Sequence, residues 1–290
     1  MQFWIEGARP RTLPAAVAPV LVGTALATEV VWGRAALALV VALSLQIAVN
    51  YANDYFDGVG GIDTEERTGP RRMVASGLVT PAAMRRAMVV ALCVAAVAGG
   101  VLVVLVGWEL LLVGLAAILA ALGSSGGSRP YASLGLGELF VFVFFGLVAT
   151  AGTTYVQDET LALAPVVAGV AMGAWATALL VVNNLRDIPT DEATGKRTLA
   201  VRIGAPNTRR FYLVLLGLAY AALFGVVLAT GAGWAVLALL SLPAIGEAVP
   251  LVRHAPLGPR MVTALEGTAK GQLVFGVLLA AGLTLDRLVG

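Results

Sequence analysis

The sequence predicts an all-α protein that crosses a lipid bilayer many times. Only 12% of its 290 residues are charged, and its mean hydropathy is +0.90. Soluble domains carry about 25% charged residues, so this chain cannot cover a globule with polar surface. Apolar stretches of the length that spans a bilayer, about 20 residues, recur from one end of the chain to the other. We therefore expect a single polytopic domain over residues 1–290.

Nine apolar segments predict nine transmembrane helices. Pro14 and Pro19 lie in the first segment, which we expect to bend or to begin late because proline removes a backbone donor. The eighth segment is interrupted by Pro243, Glu247 and Pro250. The nine predicted helices are 13–30, 35–56, 84–106, 109–126, 136–155, 163–185, 209–230, 233–252 and 268–288.

Basic residues fall almost entirely on one side of this map. With an inside N-terminus, the inner connections and their flanks carry 17 of the 19 lysines and arginines, and only Arg34 and Arg287 lie outside. An excess of this kind is typical of cytoplasmic loops. We therefore expect a cell-membrane protein with a cytoplasmic N-terminus, an outside C-terminus and two cytoplasmic cap loops, at about 57–83 and 186–208.

Polar side chains gather where the second predicted helix meets the first long inner loop. The sequence NYANDYFDGVGGID, residues 50–63, places Asn53 and Asp57 at positions i and i+4, on one face of a helix. Asp63 follows on the loop, and Arg71 and Arg72 come after it. Polar groups at membrane depth usually face the interior of a bundle, so this cluster needs an explanation.

A second copy of the cluster follows the sixth predicted helix. In NNLRDIPTDEATGKR, residues 183–197, Asn183 and Asp187 again stand four positions apart. Asp191 comes next, and Lys196 and Arg197 follow. Both clusters come after an even-numbered helix and face the same side of the membrane. The repeat indicates two halves that close around one ligand.

The residue types in the two clusters favour a metal-bound diphosphate. Carboxylates that are brought together repel one another and need cations. Ligand sets made only of oxygen favour Mg²⁺ or Ca²⁺, and Mg²⁺ is commonly bound by one or two carboxylates and substrate phosphates. Arginine and lysine would hold the phosphate oxygens. Beside a lipid-buried cavity, an isoprenyl diphosphate fits this description. The alternative is that these are ordinary loop residues that cap helices and set the topology.

A third polar feature leads into the fifth predicted helix. The sequence GSSGGSRPYASLGLGELF, residues 123–140, ends the fourth helix and carries Arg129 and Tyr131. Glu138 lies about one turn inside the fifth helix, where a carboxylate without a partner is costly. It belongs either to the site or to a structural pair. Asn50 lies one turn before the first cluster, and either a site role or hydrogen bonding between helices fits it.

Composition narrows the chemistry further. The single cysteine and the single histidine, Cys93 and His254, are too few for a zinc site of the usual ligands. The net charge of +2 is too small to indicate nucleic acid as a partner. Arg9 and Arg11 stand just before the first helix. They serve either as interfacial anchors or as partners of a substrate carboxylate.

The three polar features and the opening sequence ARPRTLPAAVAPVLVGTALA resemble the UbiA superfamily of intramembrane prenyltransferases. Within it they are most similar to the MenA branch, which acts on 1,4-dihydroxy-2-naphthoate. The resemblance covers most of the chain, with its motifs in the same order. It implies a helical bundle around a central cavity and an Mg²⁺-dependent enzyme.

The resemblance also implies roles for individual residues. The third position of the superfamily's first N-x-x-x-D-x-x-x-D motif falls on Gly61, and Asp63 takes its place in the naphthoate branch. The expected ligands of two Mg²⁺ ions are Asn53, Asp57, Asp63, Asp187 and Asp191, and all except Asp63 are also expected to be catalytic. The expected diphosphate-binding residues are Arg71, Arg72, Arg129, Lys196 and Arg197. The expected pocket for the acceptor and the prenyl cation consists of Asn50, Tyr131, Glu138 and Asn184.

The activity implied by the resemblance is transfer of a polyprenyl group from polyprenyl diphosphate to 1,4-dihydroxy-2-naphthoate, with loss of CO₂ and diphosphate. This reaction belongs to menaquinone biosynthesis. Another acceptor, such as 4-hydroxybenzoate, homogentisate, haem or a phosphoribose, is one alternative. A transporter of divalent cations or anionic lipids is a second. A transporter, however, is expected to carry its carboxylates near the bilayer midplane on broken helices.

Overall fold

Helices account for the regular structure of the computed structural model, which describes residues 2–61 and 71–289. No strand occurs in that part of the chain, which confirms the all-α prediction. Short 3₁₀ turns occur at Pro10–Thr12 and Tyr131–Leu134, a π-helical stretch covers Val143–Val148, and a longer 3₁₀ helix covers Gly233–Ile245. The α-helices are α1 (Gln2–Ala8), α2 (Pro14–Leu26), α3 (Trp32–Val59), α4 (Pro81–Leu105), α5 (Glu109–Gly123), α6 (Gly137–Phe142), α7 (Ala149–Asp158), α8 (Leu163–Ala193), α9 (Leu199–Thr230), α10 (Ala248–His254) and α11 (Arg260–Val289).

Six helices in the described chain are long and apolar enough to cross a membrane, so the protein is a multi-pass membrane protein. They are α3, α4, the continuous helix Gly137–Asp158, α8, α9 and α11. The 3₁₀ helix Gly233–Ile245 and α10 form a seventh span if the 53° bend between them lies within one crossing. The remaining two predicted segments coincide with α2 and α5, which are apolar but only 13 and 15 residues long. The count of nine spans stays a prediction.

The second predicted cap loop is mostly helical. Helix α8 continues to Ala193, and α9 begins at Leu199, so the non-helical part of the segment 186–208 is residues 194–198 and a kink at Gly204, whose φ is 76°. Gly195 adopts a left-handed φ of 77°, and the Thr198 hydroxyl caps α9 by accepting a hydrogen bond from the Val201 amide. Because α8 runs through the second acidic cluster, the acids lie on a helix face and have fixed relative positions.

The ends of the bundle are chemically different. Arg34, at the start of α3, donates to the Leu105 and Val156 carbonyls at 3.0 Å and forms an ion pair with Glu159. Arg287 donates to the carbonyl of Ala25. These two arginines, which the charge pattern places apart from the other basic residues, therefore lie at the same end. The acids of α3 and α8 lie at the other end.

Glycines allow close packing around α8, the most buried span. Of its most apolar 18-residue stretch, 78% is buried. Gly146 of the π-helical stretch packs against α8 so closely that a Cβ atom on it would lie 2.3 Å from the Gly173 Cα. Small residues at such positions let helix backbones approach one another. This contact seats the helix Gly137–Asp158 against the helix that carries the second acidic cluster.

We expect Gly146→Val to lower the unfolding temperature of the purified protein in detergent. Overpacking a close contact costs about 1–3 kcal/mol, and this contact is between two backbones that cannot move apart cheaply. Gly217→Val is the matched control, because Gly217 is exposed on α9 and a Cβ there meets no atom within 4 Å. Equal unfolding temperatures for the two variants would contradict the close approach.

Candidate active site

The two acidic clusters meet at one cavity. Asn53 and Asp57 lie in the last two turns of α3, and Asp187 and Asp191 lie in the last two turns of α8. All four side chains line a cavity of about 280 Å³. Both helices end at the same end of the bundle, so the sequence repeat becomes a pair of facing polar surfaces. The clusters are far from the middle of either span.

Asp57 joins the two halves of the site. Its Oδ2 lies 3.3 Å from Arg72 Nη2 and 3.3 Å from Lys196 Nζ, and its side chain is only 4% exposed. Lys196 follows α8, so this ion pair joins two residues that are 139 positions apart in the sequence. Removing one member of a buried ion pair costs about 3–5 kcal/mol, because the other charge is left without compensation. The pair therefore constrains how α3 and α8 are placed.

Asp187 is held by its neighbour in sequence. Arg186 donates from Nε to Asp187 Oδ1 and from Nη2 to Asp187 Oδ2, both at 2.7 Å, and Nη2 also reaches Asn183 Oδ1 at 2.9 Å. All of these contacts are buried or partly buried. Arg186 was not among the predicted site residues. Its place directly before the first acid was the one available signal.

Hydroxyl groups hold the other motif residues. Ser125 donates to Asn53 Oδ1 at 2.6 Å, and Thr198 donates to Asp191 Oδ2 at 3.4 Å. Ser125 belongs to the Gly- and Ser-rich segment after α5, so its hydrogen bond brings the third polar feature to the first cluster. Neither hydroxyl was predicted as part of the site, because Ser and Thr are common in loops for local reasons.

Asp54 positions the chain that carries Arg72. It is buried, and its two carboxylate oxygens accept the amides of Met73 and Val74, both at 2.9 Å. The segment that follows the first cluster is thereby fixed to α3. Asp54 lies between two motif residues in sequence, but it faces the loop and does not line the cavity.

The cavity continues from the polar end as an apolar channel. On α3 its lining residues recur at helical spacing, so one face of the helix forms its wall. Tyr131 and Phe140 also line it, with their rings stacked at a centroid distance of 4.0 Å and an interplanar angle of 14°. Burial raises the pKa of Tyr131 to about 12, so its phenol is neutral at physiological pH and does not act as a base. The α3 lining residues are Ala38, Val41, Ala42, Leu45, Val49, Asn53 and Asp57.

Two residues predicted for the acceptor pocket do not line the cavity. Glu138 is buried behind Asn184, and its Oε1 accepts a hydrogen bond from Asn184 Nδ2 at 2.9 Å. Asn184 itself lines the cavity. Asn50 instead donates to the Ala8 carbonyl at 2.8 Å and to Thr12 Oγ1 at 3.1 Å. It ties the N-terminal segment to α3, as the hydrogen-bonding alternative predicted.

Only some of the residues predicted to bind the diphosphate lie at the cavity. Arg72 and Lys196 line the cavity, whereas Arg71, Arg129 and Arg197 are exposed and do not line it. In each of the two adjacent pairs, Arg71–Arg72 and Lys196–Arg197, one side chain faces the cavity and the other faces away from it. Arg9 lines the cavity, while Arg11 forms an exposed ion pair with Glu266 at 2.8 Å. Asp63, a predicted metal ligand, lies outside the described residues.

The match to a family model decides the classification. The model of the UbiA prenyltransferase family matches residues 16–257, which is most of the chain. The chain belongs to the UbiA prenyltransferase family. A relative from Mycobacterium leprae, named 1,4-dihydroxy-2-naphthoate octaprenyltransferase, is 45% identical over 285 residues, which cover 97% of this chain and 96% of the relative.

Solved structures of UbiA homologues share the fold. The apo structure of a homologue from Aeropyrum pernix has a TM-score of 0.69 at 18% identity and covers 96% of this chain and 97% of the homologue. A homologue from Archaeoglobus fulgidus, bound to GPP and Mg²⁺, has a TM-score of 0.62 at 14% identity and covers 99% and 100%.

The UbiA site in this chain has the donor atoms that Mg²⁺ requires. The polar end of the cavity offers carboxylate and carboxamide oxygens and no sulfur or imidazole ligand among its described residues, which suits a hard cation. Within residues 2–61 and 71–289, no three acids, histidines or cysteines stand close enough together to hold a metal ion. The acids are instead occupied by Arg186, Arg72 and Lys196.

Proposed function

We propose that this UbiA family member transfers the polyprenyl group of a polyprenyl diphosphate to 1,4-dihydroxy-2-naphthoate. CO₂ and diphosphate are released, and the product is a demethylmenaquinol, the two-electron-reduced form of a demethylmenaquinone. The relative from Mycobacterium leprae, similar over nearly its whole length, carries the name of this activity. The observation that carries the proposal is the Lys196–Asp57 contact, which joins two acidic motifs at the polar end of an apolar cavity.

The acids of α3 and α8 would hold Mg²⁺ and, through it, the diphosphate. The proposed ligands are Asn53, Asp57, Asp63, Asp187 and Asp191, for two ions. When bound there, Mg²⁺ would neutralise the charge that the diphosphate gains as the allylic C–O bond breaks. Arg72 and Lys196 already face the polar end of the cavity. They are positioned to exchange Asp57 for phosphate oxygens, which they bind by charge-assisted hydrogen bonds.

The apolar walls protect the prenyl cation. Phe140 and Tyr131 line the cavity beyond the acids, and their ring faces attract positive charge. Because few polar groups line this region, water does not compete with the acceptor for the cation. The electron-rich ring of the naphthoate then attacks the prenyl cation. The new bond forms at the ring carbon that bears the carboxylate, and this carboxylate leaves as CO₂.

We expect Asp57→Asn and Asp187→Asn each to lower the rate of Mg²⁺-dependent prenyl transfer by about 100-fold or more, as for loss of a group that stabilises developing charge. The assay measures labelled polyprenyl diphosphate converted with 1,4-dihydroxy-2-naphthoate in membranes, with 4-hydroxybenzoate and homogentisate as comparison acceptors. Glu192→Gln is the matched control, because Glu192 is an exposed acid beside Asp191 on the same helix. Near-full activity in either aspartate variant would refute the site.

The Glu138–Asn184 pair orients a group toward the acceptor. The amide NH₂ of Asn184 faces Glu138 and donates from Nδ2 to Glu138 Oε1 at 2.9 Å. The carbonyl oxygen of Asn184 is then available to accept a hydroxyl of the dihydroxy ring. The second oxygen of Glu138 has no hydrogen-bond partner among the described residues. Such a group destabilises a fold, so a purely structural role does not explain it.

We expect Glu138→Leu to raise the KM for 1,4-dihydroxy-2-naphthoate by about tenfold or more, as for loss of a hydrogen bond to a substrate hydroxyl, because the amide of Asn184 loses its fixed orientation. The KM for polyprenyl diphosphate stays unchanged, and Glu138→Gln, which retains an acceptor oxygen, restores most of the affinity. Asn184→Leu has a similar effect, and the double variant is no worse than either single variant. Additive losses would show that the residues act separately.

We propose that the acidic end of the bundle is cytoplasmic. The charge pattern supports this orientation, since 17 of the 19 basic residues lie on that side of the sequence map. Single cysteines in a Cys93→Ala background provide the test. In intact cells, a membrane-impermeant maleimide should label Gly233→Cys but should label His254→Cys only after lysis, because these exposed positions begin and end the bent pair of helices. The reverse labelling would invert the topology.

A further inference from the structure

Three of the described residues that line the site cavity carry a positive charge. Arg72 and Lys196 both reach the Oδ2 atom of Asp57, at 3.3 Å. The third is Arg9, which is half-buried and comes from the N-terminal segment before α2. The proposed diphosphate accounts for the two cations at Asp57 and leaves the role of Arg9 to be explained.

The backbone of Arg9 has a strained conformation. Its φ of 52° and ψ of 70° lie in the left-handed region, which residues with a Cβ atom rarely adopt. Pro10 follows it, and a residue before proline normally takes an extended conformation. Strain of this kind persists only where the surroundings hold it, and it is concentrated at binding and catalytic sites. Glycine adopts this φ freely, so an arginine here indicates a use for its side chain.

Hydrogen bonds hold the backbone on both sides of Arg9. The Arg9 carbonyl accepts from the Thr12 amide at 2.9 Å and from the Thr12 hydroxyl at 3.0 Å. The buried Asn50 donates to the Ala8 carbonyl at 2.8 Å. Asn50 and Gln46 also donate to the Thr12 hydroxyl oxygen, at 3.1 and 2.9 Å. Two buried amide side chains of α3 therefore fix the turn that carries Arg9.

This turn is anchored where the polar end of the cavity meets its apolar walls. Asn50 lies one turn before Asn53 and seven positions, or about 10 Å of helix, before Asp57. In the proposed reaction the diphosphate occupies the end near Asp57, and the allylic carbon that it releases faces the apolar walls. The acceptor ring must lie beside that carbon. Because the attacked ring carbon bears the carboxylate, the carboxylate lies at the same boundary.

A substrate carboxylate at this boundary requires a cation. An ionised carboxylate beside apolar walls is strongly disfavoured unless it is paired, and the acids of α3 and α8 would repel it. Arginine can bind a carboxylate through two parallel hydrogen bonds. A ring hydroxyl held by Asn184 and a carboxylate held by Arg9 would fix the acceptor at two points.

We infer that Arg9 binds the carboxylate of the aromatic acceptor and thereby selects acceptors that carry one. This inference rests on the proposed prenyl transfer and deepens it. After the ring carbon has bonded to the prenyl group, its bond to the carboxylate breaks, the electron pair of that bond returns to the ring, and CO₂ leaves. The carboxylate loses its negative charge in this step. Arg9 therefore contributes to acceptor binding and not to the rate of the chemical step.

The test measures the steady-state kinetics of Arg9→Met in membranes. We expect the KM for 1,4-dihydroxy-2-naphthoate to rise about tenfold or more, as for loss of hydrogen bonds to a charged group. The kcat and the KM for polyprenyl diphosphate should stay within about threefold of the unaltered chain. Arg9→Lys, which keeps the charge but not the two parallel hydrogen bonds, should be intermediate. Arg11→Met is the matched control and should behave as the unaltered chain does, because Arg11 lies at the surface in an ion pair with Glu266.

A carboxyl-free analogue identifies the group that Arg9 binds. In the same assay 1,4-dihydroxynaphthalene competes with the acceptor, and the unaltered chain should prefer the carboxylate form by about tenfold or more. Arg9→Met should lose most of this preference. The inference is overturned if the unaltered chain has no preference, if Arg9→Met keeps it, or if the KM that rises is that of polyprenyl diphosphate. If the unaltered chain transfers no prenyl group to 1,4-dihydroxy-2-naphthoate, the proposed function fails instead, and the two failures are distinguishable.

Discussion

A buried carboxylate at the edge of lipid is the constraint on which the site depends. Asp57 is almost fully enclosed, and an ionised group there requires cations close by. One of them, Arg72, comes from the chain that follows α3, and Asp54 holds that chain in place through two backbone amides. The other, Lys196, comes from the opposite half. Pairing the charge of Asp57 therefore brings together α3, the chain that follows α3 and the chain that follows α8.

The same arrangement prepares the site for chemistry. Asp57 and Asp187 each form an ion pair with an arginine of the protein before any ligand binds. A metal-bound diphosphate would supply both a cation for the acids and an anion for Arg72 and Lys196. Exchange of partners in this way keeps charge balanced at every stage.

The packing around α8 links stability to function. Close approach of Gly146 to Gly173 seats the helix Gly137–Asp158 on α8, and this contact brings Glu138 to Asn184. By contrast, Gly114 and Gly152 leave open space between α5 and α7. Glycine thus serves two opposite purposes in one bundle: it permits tight backbone contact on one side of the cavity and leaves an opening on another.

The sequence by itself determined the membrane environment, the all-α class and the two acidic clusters, because hydropathy and i, i+4 spacing are local properties. Tertiary structure alone decided which neighbours complete the site. Arg186 and Ser125 were missed, since a side chain's direction depends on how helices pack. For the same reason Asn50 and Glu138 turned out to hold other residues in place instead of lining the cavity. The extension of α8 through its acids was likewise decided by tertiary burial, since Asp187, Ile188 and Asp191 are all buried.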